Sequence, residues 1–324
     1  LYTGNLQYCF CDFIGEDPVL PITISHVYSK SFTEDYGVGN GWRLNLHQEI
    51  FRENARWFYI DNCGRSYRFT SSDTRIYNDK TELELIPSST DDKPTNVTII
   101  DKNGNSTVFE YIKGKYRMIQ LYKYPAKERV VDGTFSQSYS VSIAYDAEGK
   151  ITEICGGSVI NGKKTTIAFS YNNGLLSELT YCRFGNTPIK TVKYTYSGKD
   201  LIGIERCHSE TSSPYSEITE FNYSSEGFSV RYALSPEENA LRKKLNFKYS
   251  NKRVSKITEG FGDDISDTLE INYRINVNAK NDDPTAIVQT TYVTEDKKIM
   301  IISFNLRNVF AQYSYDFGNG IAKP

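Results

Sequence analysis

The sequence contains few of the side chains that most often bind metals or catalyse reactions. Its 324 residues include three histidines, six cysteines and two methionines. No two cysteines have the C-x-x-C spacing of a zinc knuckle or redox site, and His26, His47 and His208 lack a recognisable set of neighbouring ligands. We therefore predict structural roles for the histidines, and no metal, cofactor or catalytic residue.

Long apolar runs and a dominant charge are also missing. No stretch of 18 apolar residues occurs, so we predict no membrane span. The 38 basic and 40 acidic residues leave a net charge of −2, which is too small to steer nucleic acid or an anionic membrane. We predict neither as a partner.

Common enzyme motifs are absent as well. There is no Gly-x-Ser-x-Gly elbow and no phosphate-binding glycine loop before a helix. The segment Asp101-Lys-Asn-Gly104-Asn resembles the start of a calcium loop, but Ile112 stands where a bidentate glutamate is needed. We interpret this segment as a turn between two strands.

Cysteine is too sparse for a disulfide framework. Free buried thiols are the preferred interpretation, and disulfides remain the alternative. The six residues are Cys9, Cys11, Cys63, Cys155, Cys182 and Cys207.

Tyrosine, in contrast, is abundant and regularly spaced. One tyrosine recurs at intervals of 24 to 27 residues, at Tyr145, Tyr171, Tyr196, Tyr223, Tyr249 and Tyr273. A fixed period of this size is typical of an array in which each unit buries its apolar face on its neighbours. The pattern also occurs at Tyr111 and Tyr315. We predict repeats over residues 101–324, preceded by a β module over residues 1–100.

Each repeat is predicted to be a β-hairpin. Before the turn, aromatic residues alternate with polar ones, as in Phe169-Ser-Tyr171, which places the rings on one face. After the turn, apolar residues such as Leu176 and Leu179 lie three apart, which indicates a bend or bulge in the second strand. We predict an all-β fold in which repeated antiparallel hairpins form a curved, spiralling sheet. It would contain at most one or two short helices, such as one over residues 235–244.

Two motifs stand out in the first hundred residues. Gly39-Asn-Gly41-Trp42 is a glycine-rich turn that leads into a strand, and Asp61-Asn-Cys-Gly64-Arg65 is the turn of a hairpin. An alternating strand, Pro21–Ser29, precedes them. With the Tyr-Asp pairs at Tyr145 and Tyr315, this order resembles the Rhs/YD-repeat family, in which a similar module precedes the repeats.

The resemblance implies a long β-sheet that spirals into a hollow shell. Family members include bacterial toxins that wrap a C-terminal toxic domain, wall-associated surface proteins and animal teneurins. The family's autoproteolytic Asp-Pro-x-Gly motif has no counterpart here, because Asp17-Pro18 is followed by Val-Leu and Asp283-Pro284 by Thr-Ala. Neither self-cleavage nor a toxic activity is carried over to this chain.

The sequence is compatible with three functions. The leading hypothesis is a non-catalytic segment of a YD-repeat shell that encloses or displays another part of its own polypeptide, such as further repeats or a C-terminal cargo. The alternative is a surface adhesin that binds glycans or a protein on its aromatic face. An enzyme on a β scaffold would need paired carboxylates across a groove, which the sequence does not locate.

We also expect a segment of a longer protein. The chain begins at Leu1 rather than at Met, and it ends at Pro324 just after a repeat begins. By resemblance, the parent would be secreted or exposed at the cell surface, and bacterial rather than eukaryotic.

Overall fold

The computed structural model describes residues 6–15, 22–71, 76–79, 81–123, 139–160, 163–185, 187–208, 215–233, 243–251, 253–261, 264–275, 287–295, 299–304 and 310–316. Within these ranges the chain forms strands and turns and contains no helix. The predicted all-β, antiparallel fold is confirmed.

Twenty-six strands make up the described part of the chain. In order they are β1 (Tyr8–Ile14), β2 (Thr23–Tyr28), β3 (Trp42–Leu44), β4 (Glu49–Glu53), β5 (Arg56–Ile60), β6 (Ser66–Arg68), β7 (Thr70–Ser71), β8 (Ile76–Asn78), β9 (Leu83–Pro87), β10 (Asn96–Ile100), β11 (Ser106–Ile112), β12 (Lys115–Lys123), β13 (Tyr139–Tyr145), β14 (Ile151–Ile160), β15 (Lys163–Asn172), β16 (Leu175–Cys182), β17 (Pro188–Ser197), β18 (Asp200–His208), β19 (Tyr215–Tyr223), β20 (Gly227–Ala233), β21 (Lys243–Ser250), β22 (Arg253–Phe261), β23 (Asp264–Ile275), β24 (Ile287–Thr294), β25 (Ile299–Phe304) and β26 (Phe310–Asp316).

The helix predicted over residues 235–244 falls mostly outside the described residues. Its last two residues, Lys243 and Lys244, begin strand β21 instead, so the predicted end of the helix is wrong. Both residues pair with Tyr232 and Arg231 on β20 and with β22 on the other side. Pairing with two flanking strands therefore decides the conformation of these two residues.

The strands form two sheets. Strands β1, β2 and β3 make a small antiparallel sheet, here called the N-terminal sheet. Strands β4–β26 belong to one long, open, curved sheet, here called the wall. From β8 onward, each wall strand pairs antiparallel with the next one in sequence.

The wall forks at strand β12. The first part of β12 pairs with β4, through Tyr116 opposite Ile50 and Arg117 opposite Glu49. Its later part, from residue 120 to 123, pairs with β13 on the same side. The segment β4–β12 therefore folds back so that its last strand pairs with its first. Strand β13 then begins the long series of hairpins. The boundary predicted at residue 100 stays a prediction. It falls between β10 and β11, which are paired strands of this one sheet.

The predicted bulge after the turn is present in four hairpins of the described wall and absent from β19–β20. Tyr171 pairs with Leu176 and Ser170 with Glu178, so Ser177 is an extra residue on the second strand. The extra residue returns Leu179 to the face occupied by Leu176, and both are buried. Equivalent register shifts follow the turns of β13–β14, β17–β18 and β21–β22. The three-residue apolar spacing is therefore explained by a bulge.

Two turn types connect these hairpins. In the shorter type, Asn173 and Gly174 both have positive φ, of 49° and 81°, as a two-residue Asn-Gly hairpin turn requires. In the longer type, Asp146 accepts hydrogen bonds at Oδ1 from the backbone N–H groups of Glu148 (3.0 Å) and Lys150 (2.8 Å). The literal Tyr-Asp pair at Tyr145 thus belongs to the longer turn.

The Asp-x-x-Gly turn recurs twice before the hairpin series. Asp61 Oδ1 accepts from the N–H groups of Cys63 (2.8 Å) and Arg65 (2.9 Å). Asp101 Oδ1 accepts in the same way from Asn103 (2.8 Å) and Asn105 (2.9 Å). The interpretation of the 101–105 segment as a turn between strands is confirmed.

All six cysteines are free thiols, but none is fully buried. Cys9 is exposed and the other five are half-buried, so the prediction of buried thiols is wrong in that respect. Strand alternation gives the reason at Cys155. Its neighbours Ile154 and Gly156 face the core, which places Cys155 on the opposite face.

Candidate functional site: the contact between the N-terminal sheet and the wall

The N-terminal sheet packs on the aromatic face of the wall. Trp42 on β3 is fully buried, with its ring centroid 4.9 Å from that of Phe221 and 5.1 Å from that of Tyr28. Its Nε1–H donates to the hydroxyl of Tyr223 (2.7 Å), and that hydroxyl donates to the carbonyl of Leu201 (2.5 Å). A repeat tyrosine therefore links the pre-repeat tryptophan to the wall.

The loop before Trp42 lies against the turns of two successive hairpins. The carbonyl of Gly37 accepts a hydrogen bond from Leu176 N–H (2.7 Å). The Asn40 N–H donates to the carbonyl of Lys199 (2.9 Å), and its side-chain amide donates to Asp200 Oδ1 (2.9 Å). Residues 37–41, here called the docking loop, thus satisfy polar groups at the ends of both hairpins.

An exposed ion pair supports the same loop. Lys199 Nζ lies 2.7 Å from Asp35 Oδ2, and Asp35 Oδ1 accepts from Gly37 N–H (2.9 Å). The hydrogen bond from Lys199 and the one from Gly37 lower the pKa of the Asp35 carboxyl. Both side chains of the pair are more than half exposed, so the ion pair itself contributes little to stability.

The second predicted motif, Asp61–Arg65, reaches the first through Gly64. A side chain at Gly64 would place its Cβ 2.7 Å from the Phe32 ring and 3.1 Å from Arg43 Nη1. Arg43 directly follows Trp42 and is 3% exposed. Its guanidinium lies 5.6 Å from the ring centroid of Phe32 and 5.3 Å from that of Tyr36. The two motifs are therefore parts of one packed region.

Three polar side chains form a buried chain of hydrogen bonds between the N-terminal sheet and the wall. Asp12 is the extra residue of a bulge on β1, and its Oδ2 is hydrogen-bonded to Nδ1 of His26 on β2. The same Oδ2 accepts from the hydroxyl of Tyr194 on β17 (2.9 Å). Asp12 and His26 are 1% and 0% exposed. Burial, followed by the Asp12 carboxylate, raises the pKa of Tyr194 well above its usual value.

A second charged group lies where the wall forks. Lys115 is paired with both Glu34 and Glu49, with Nζ 3.2 Å from Glu49 Oε2. Glu49 is 2% exposed, and burial together with Glu34 raises the pKa of its carboxyl. The two carboxylates share one lysine, so the geometry is that of a bridging ion pair across the fork. It does not resemble two acids on either side of an open groove.

His47 is buried beside this group. Its ring stacks on Tyr36 with centroids 4.3 Å apart, and its Nδ1 accepts a hydrogen bond from the Leu44 N–H (3.0 Å). Burial, followed by the positive charge of Arg43, lowers the pKa of His47 well below its usual value. The folded protein therefore holds His47 neutral.

This burial predicts a pH dependence of stability. His47 takes up a proton in the unfolded chain below pH ~6.5 but not in the folded one. The contribution of neutral His47 to the free energy of unfolding is thus fully present above that pH and is lost as the pH falls. Between pH 7.5 and pH 5, we expect the free energy of unfolding to fall by up to about 2 kcal/mol more in wild type than in His47→Gln. Urea unfolding at both pH values measures this, with His208→Gln as the half-exposed control. An equal loss in wild type and His47→Gln would contradict the prediction.

The repeat tyrosines occupy equivalent places in successive hairpins. Tyr145, Tyr223 and Tyr273 each donate from the hydroxyl to a backbone carbonyl of the preceding hairpin, those of Met118, Leu201 and Val254. In each case that carbonyl belongs to the residue just before the bulge. The bulge therefore exposes an acceptor that the next tyrosine satisfies. Burial raises the pKa of these hydroxyls.

Tyr223 and Tyr171 form a matched pair for testing this bond. Tyr223→Phe would leave the Trp42 N–H and the Leu201 carbonyl without their partner, and we expect it to lower the free energy of unfolding by about 1–3 kcal/mol. The Tyr171 hydroxyl is buried without a hydrogen-bond partner among the described residues, so Tyr171→Phe should be neutral or stabilising. Chemical denaturation of both variants measures the two changes in the free energy of unfolding. Equal losses would show that the hydroxyl bond is unimportant.

The other predicted residues have the following places. Gly39 and Gly41 have positive φ, of 105° and 74°. Tyr196 and Tyr249 are half-buried against the core, whereas Tyr111 is 39% exposed. Tyr315 lies in β26, opposite Met300, and its side chain lies outside the described residues. The motif residues and the central repeat tyrosines are thus brought together, and Tyr111 is not.

Sequence reasoning missed Asp12, Tyr194 and Arg43. Asp12 reaches the wall because of a bulge in β1 that no periodic pattern signals. His26 was assigned a structural role without a partner. An unpaired acid in an otherwise apolar strand, Tyr8–Ile14, was the one available sign of a buried polar contact.

Among the described residues, no group of three or more His, Cys, Asp or Glu side chains is arranged to hold a metal ion. Among the same residues, no helix is long and apolar enough to cross a membrane.

A family model for a domain of unknown function, DUF6531, matches residues 1–69. These residues contain both pre-repeat motifs. No curated protein matches the chain.

Several solved structures are weakly similar. A porin-like protein from Bacteroides uniformis has 9% identity and a TM-score of 0.29, over 83% of this chain and 94% of that one. A TcdB2-TccC3-Cdc42 structure has 8% identity and a TM-score of 0.36, over 94% of this chain. A TcdB2-TccC3-TEV structure has 10% identity and a TM-score of 0.27, over 91% of this chain. This chain spans 19% of the length of each of the latter two.

Proposed function

We propose that this chain is a non-catalytic structural segment of a YD-repeat β-shell. In this role it encloses or displays another part of a larger secreted or cell-surface polypeptide. The observation that carries the proposal is the packing of the N-terminal sheet on the aromatic face of the wall. Trp42 is bonded there to Tyr223, and the docking loop is bonded to two hairpin turns.

The hairpin geometry supports a wall that grows by addition. Three bulges present a carbonyl to the tyrosine of the next hairpin, so each of these hairpins is completed by its successor. Such nearest-neighbour contacts are how repeat arrays extend without a single large core. Containment would then follow from the number of hairpins and their curvature, with no chemistry required of this segment.

The aromatic side chains are poorly placed for the alternative of glycan binding. Trp42, Phe221 and Phe228 are 0%, 4% and 2% exposed, because the N-terminal sheet covers them. A sugar stacks on a ring face that is open to solvent. Within the described part of the chain, the central aromatic rows are internal packing.

Protease accessibility tests the proposal in the longer polypeptide of which this chain would be a segment. A short protease-recognition sequence is inserted in the region after residue 324, and a second copy is inserted separately at the exposed Lys113–Gly114 turn. Containment predicts that the turn is cut while the downstream site resists until the protein is unfolded. Equal cleavage of both sites in the folded protein would refute containment.

A further inference from the structure

Strand β21 takes part in two like-charge pairs on the face of the wall opposite the N-terminal sheet. Phe247 is buried on the aromatic side, so strand alternation places Lys244 and Lys248 on the opposite face. Lys248 lies directly opposite Lys256 on β22, and Lys244 lies directly opposite Arg231 on β20. Like charges that lie directly opposite each other destabilise a sheet.

One cation of each pair has an acidic partner. Arg231 is ion-paired with Glu220 at 3.7 Å, and Lys256 is ion-paired with Glu270 at 3.6 Å. Within the described part of the chain, no ion pair compensates the β21 lysine of either pair. Each of these two lysines therefore adds a positive charge to this face that no neighbouring carboxylate in the described sheet neutralises.

Charges of alternating sign are found elsewhere on the same face. Lys193 on β17 lies directly opposite both Glu178 on β16 and Glu205 on β18. The like-charge pairs of β20–β22 are thus a local departure that costs the free protein stability. A local rule that is broken without compensation inside the fold is typical of a functional site.

Hydrogen-bonding side chains and open space lie between the two like-charge pairs. Asn246 lies opposite Ser229 and Thr258, and its amide donates to the Thr258 hydroxyl (3.1 Å). Two depressions, of about 430 and about 510 Å³, open beside this row, and each has two basic residues and one acidic residue in its lining. We call this region the basic trough; it comprises Ser229, Arg231, Lys244, Asn246, Lys248, Lys256 and Thr258.

We propose that the basic trough binds an acidic, extended polypeptide segment of a partner protein. Lys244 and Lys248 are four residues apart on one strand, which separates their Cα atoms by roughly 13 Å. Two carboxylates four residues apart in an extended peptide have the same spacing and point to one side. Asn246 would then form a hydrogen bond with the peptide residue midway between them. This interaction goes beyond the proposed structural role and does not depend on what the wall encloses.

The lining of the trough favours a peptide over a single-stranded nucleic acid. Nucleic acid bases bind by stacking on open aromatic rings. The aromatic residues beside the larger set of lining residues, Phe228 and Phe247, are 2% and 7% exposed and pack on the opposite face. A nucleic acid would therefore have charge contacts here without stacking, whereas a peptide can use both the lysines and the row of amide and hydroxyl groups.

Fluorescence anisotropy with labelled peptides tests the predicted spacing. One peptide carries two glutamates four residues apart in a serine- and threonine-rich chain. A second peptide of the same composition carries them three apart, so that they point to opposite sides when the chain is extended. We expect the first to bind more tightly by up to about fivefold. Equal affinities, no binding of either peptide, or tighter binding of a single-stranded oligonucleotide of equal charge would overturn the proposal.

Lysine variants separate binding from stability. Lys248→Gln removes one binding charge and one like-charge contact, so it should weaken peptide binding by up to about fivefold while raising the Tm of the free protein. The rise in Tm should vanish in about 1 M salt, which screens the repulsion. Lys193→Gln, between two glutamates, is the matched control and should leave binding unchanged without raising the Tm. If Lys248→Gln lowered the Tm, or bound the peptide as tightly as wild type does, the trough would not be a peptide site.

Discussion

Replacing Trp42 with alanine is expected to lower the free energy of unfolding by about 3–5 kcal/mol. The indole is fully buried between Phe221 and Tyr28, so its removal leaves a cavity at the centre of the contact. The hydroxyl of Tyr223 also loses the Nε1–H that donates to it at 2.7 Å. Urea unfolding followed by circular dichroism measures the loss.

The controls for this variant distinguish docking from general aromatic packing. Trp42→Phe keeps part of the ring volume and should lose less. Tyr111 is 39% exposed, so Tyr111→Ala should cost well under half as much as Trp42→Ala. If Trp42→Ala cost no more than Tyr111→Ala, the tryptophan would not hold the N-terminal sheet on the wall.

Local pattern was enough to predict the hairpins and their bulges. The spacing of Leu176 and Leu179 could be satisfied on one face of a strand only if a residue between them left the ladder, as Ser177 does. The departures from a literal Tyr-Asp pair have an equally local cause. Asn173-Gly174 closes a two-residue turn in which the Asp cap of the longer turn has no place.

Long-range placement could not be predicted in the same way. The contact of Trp42 with Tyr223 spans 181 residues and that of Asp12 with Tyr194 spans 182, and neither is encoded in a period. The glycine-rich motif was interpreted as a turn leading into a strand, which described its backbone but not its docking role. The sequence also does not show that the N-terminal sheet covers the aromatic rows, so glycan binding on those rings remains an alternative at that level.

Replacing Gly37 of the docking loop with alanine is expected to lower the free energy of unfolding by about 2–4 kcal/mol. Gly37 has φ of 73°, and an added Cβ would lie 2.6 Å from the carbonyl oxygen of Gly174. That oxygen already accepts from Lys150 Nζ at 2.9 Å, and the Gly37 carbonyl is held by Leu176 N–H at 2.7 Å. The added methyl group would therefore separate the loop from the hairpin turn or displace both bonds.

Gly114 isolates the steric part of this prediction. It also has positive φ, of 88°, but an added Cβ would meet nothing within 4 Å, so Gly114→Ala carries the backbone cost of about 1–2 kcal/mol alone. The difference between the two variants measures the close approach of loop and wall. Hydrogen exchange should also show faster opening of β1–β3 in Gly37→Ala and not in Gly114→Ala. Equal losses, with equal protection of β1–β3, would mean that the loop is not a docking element.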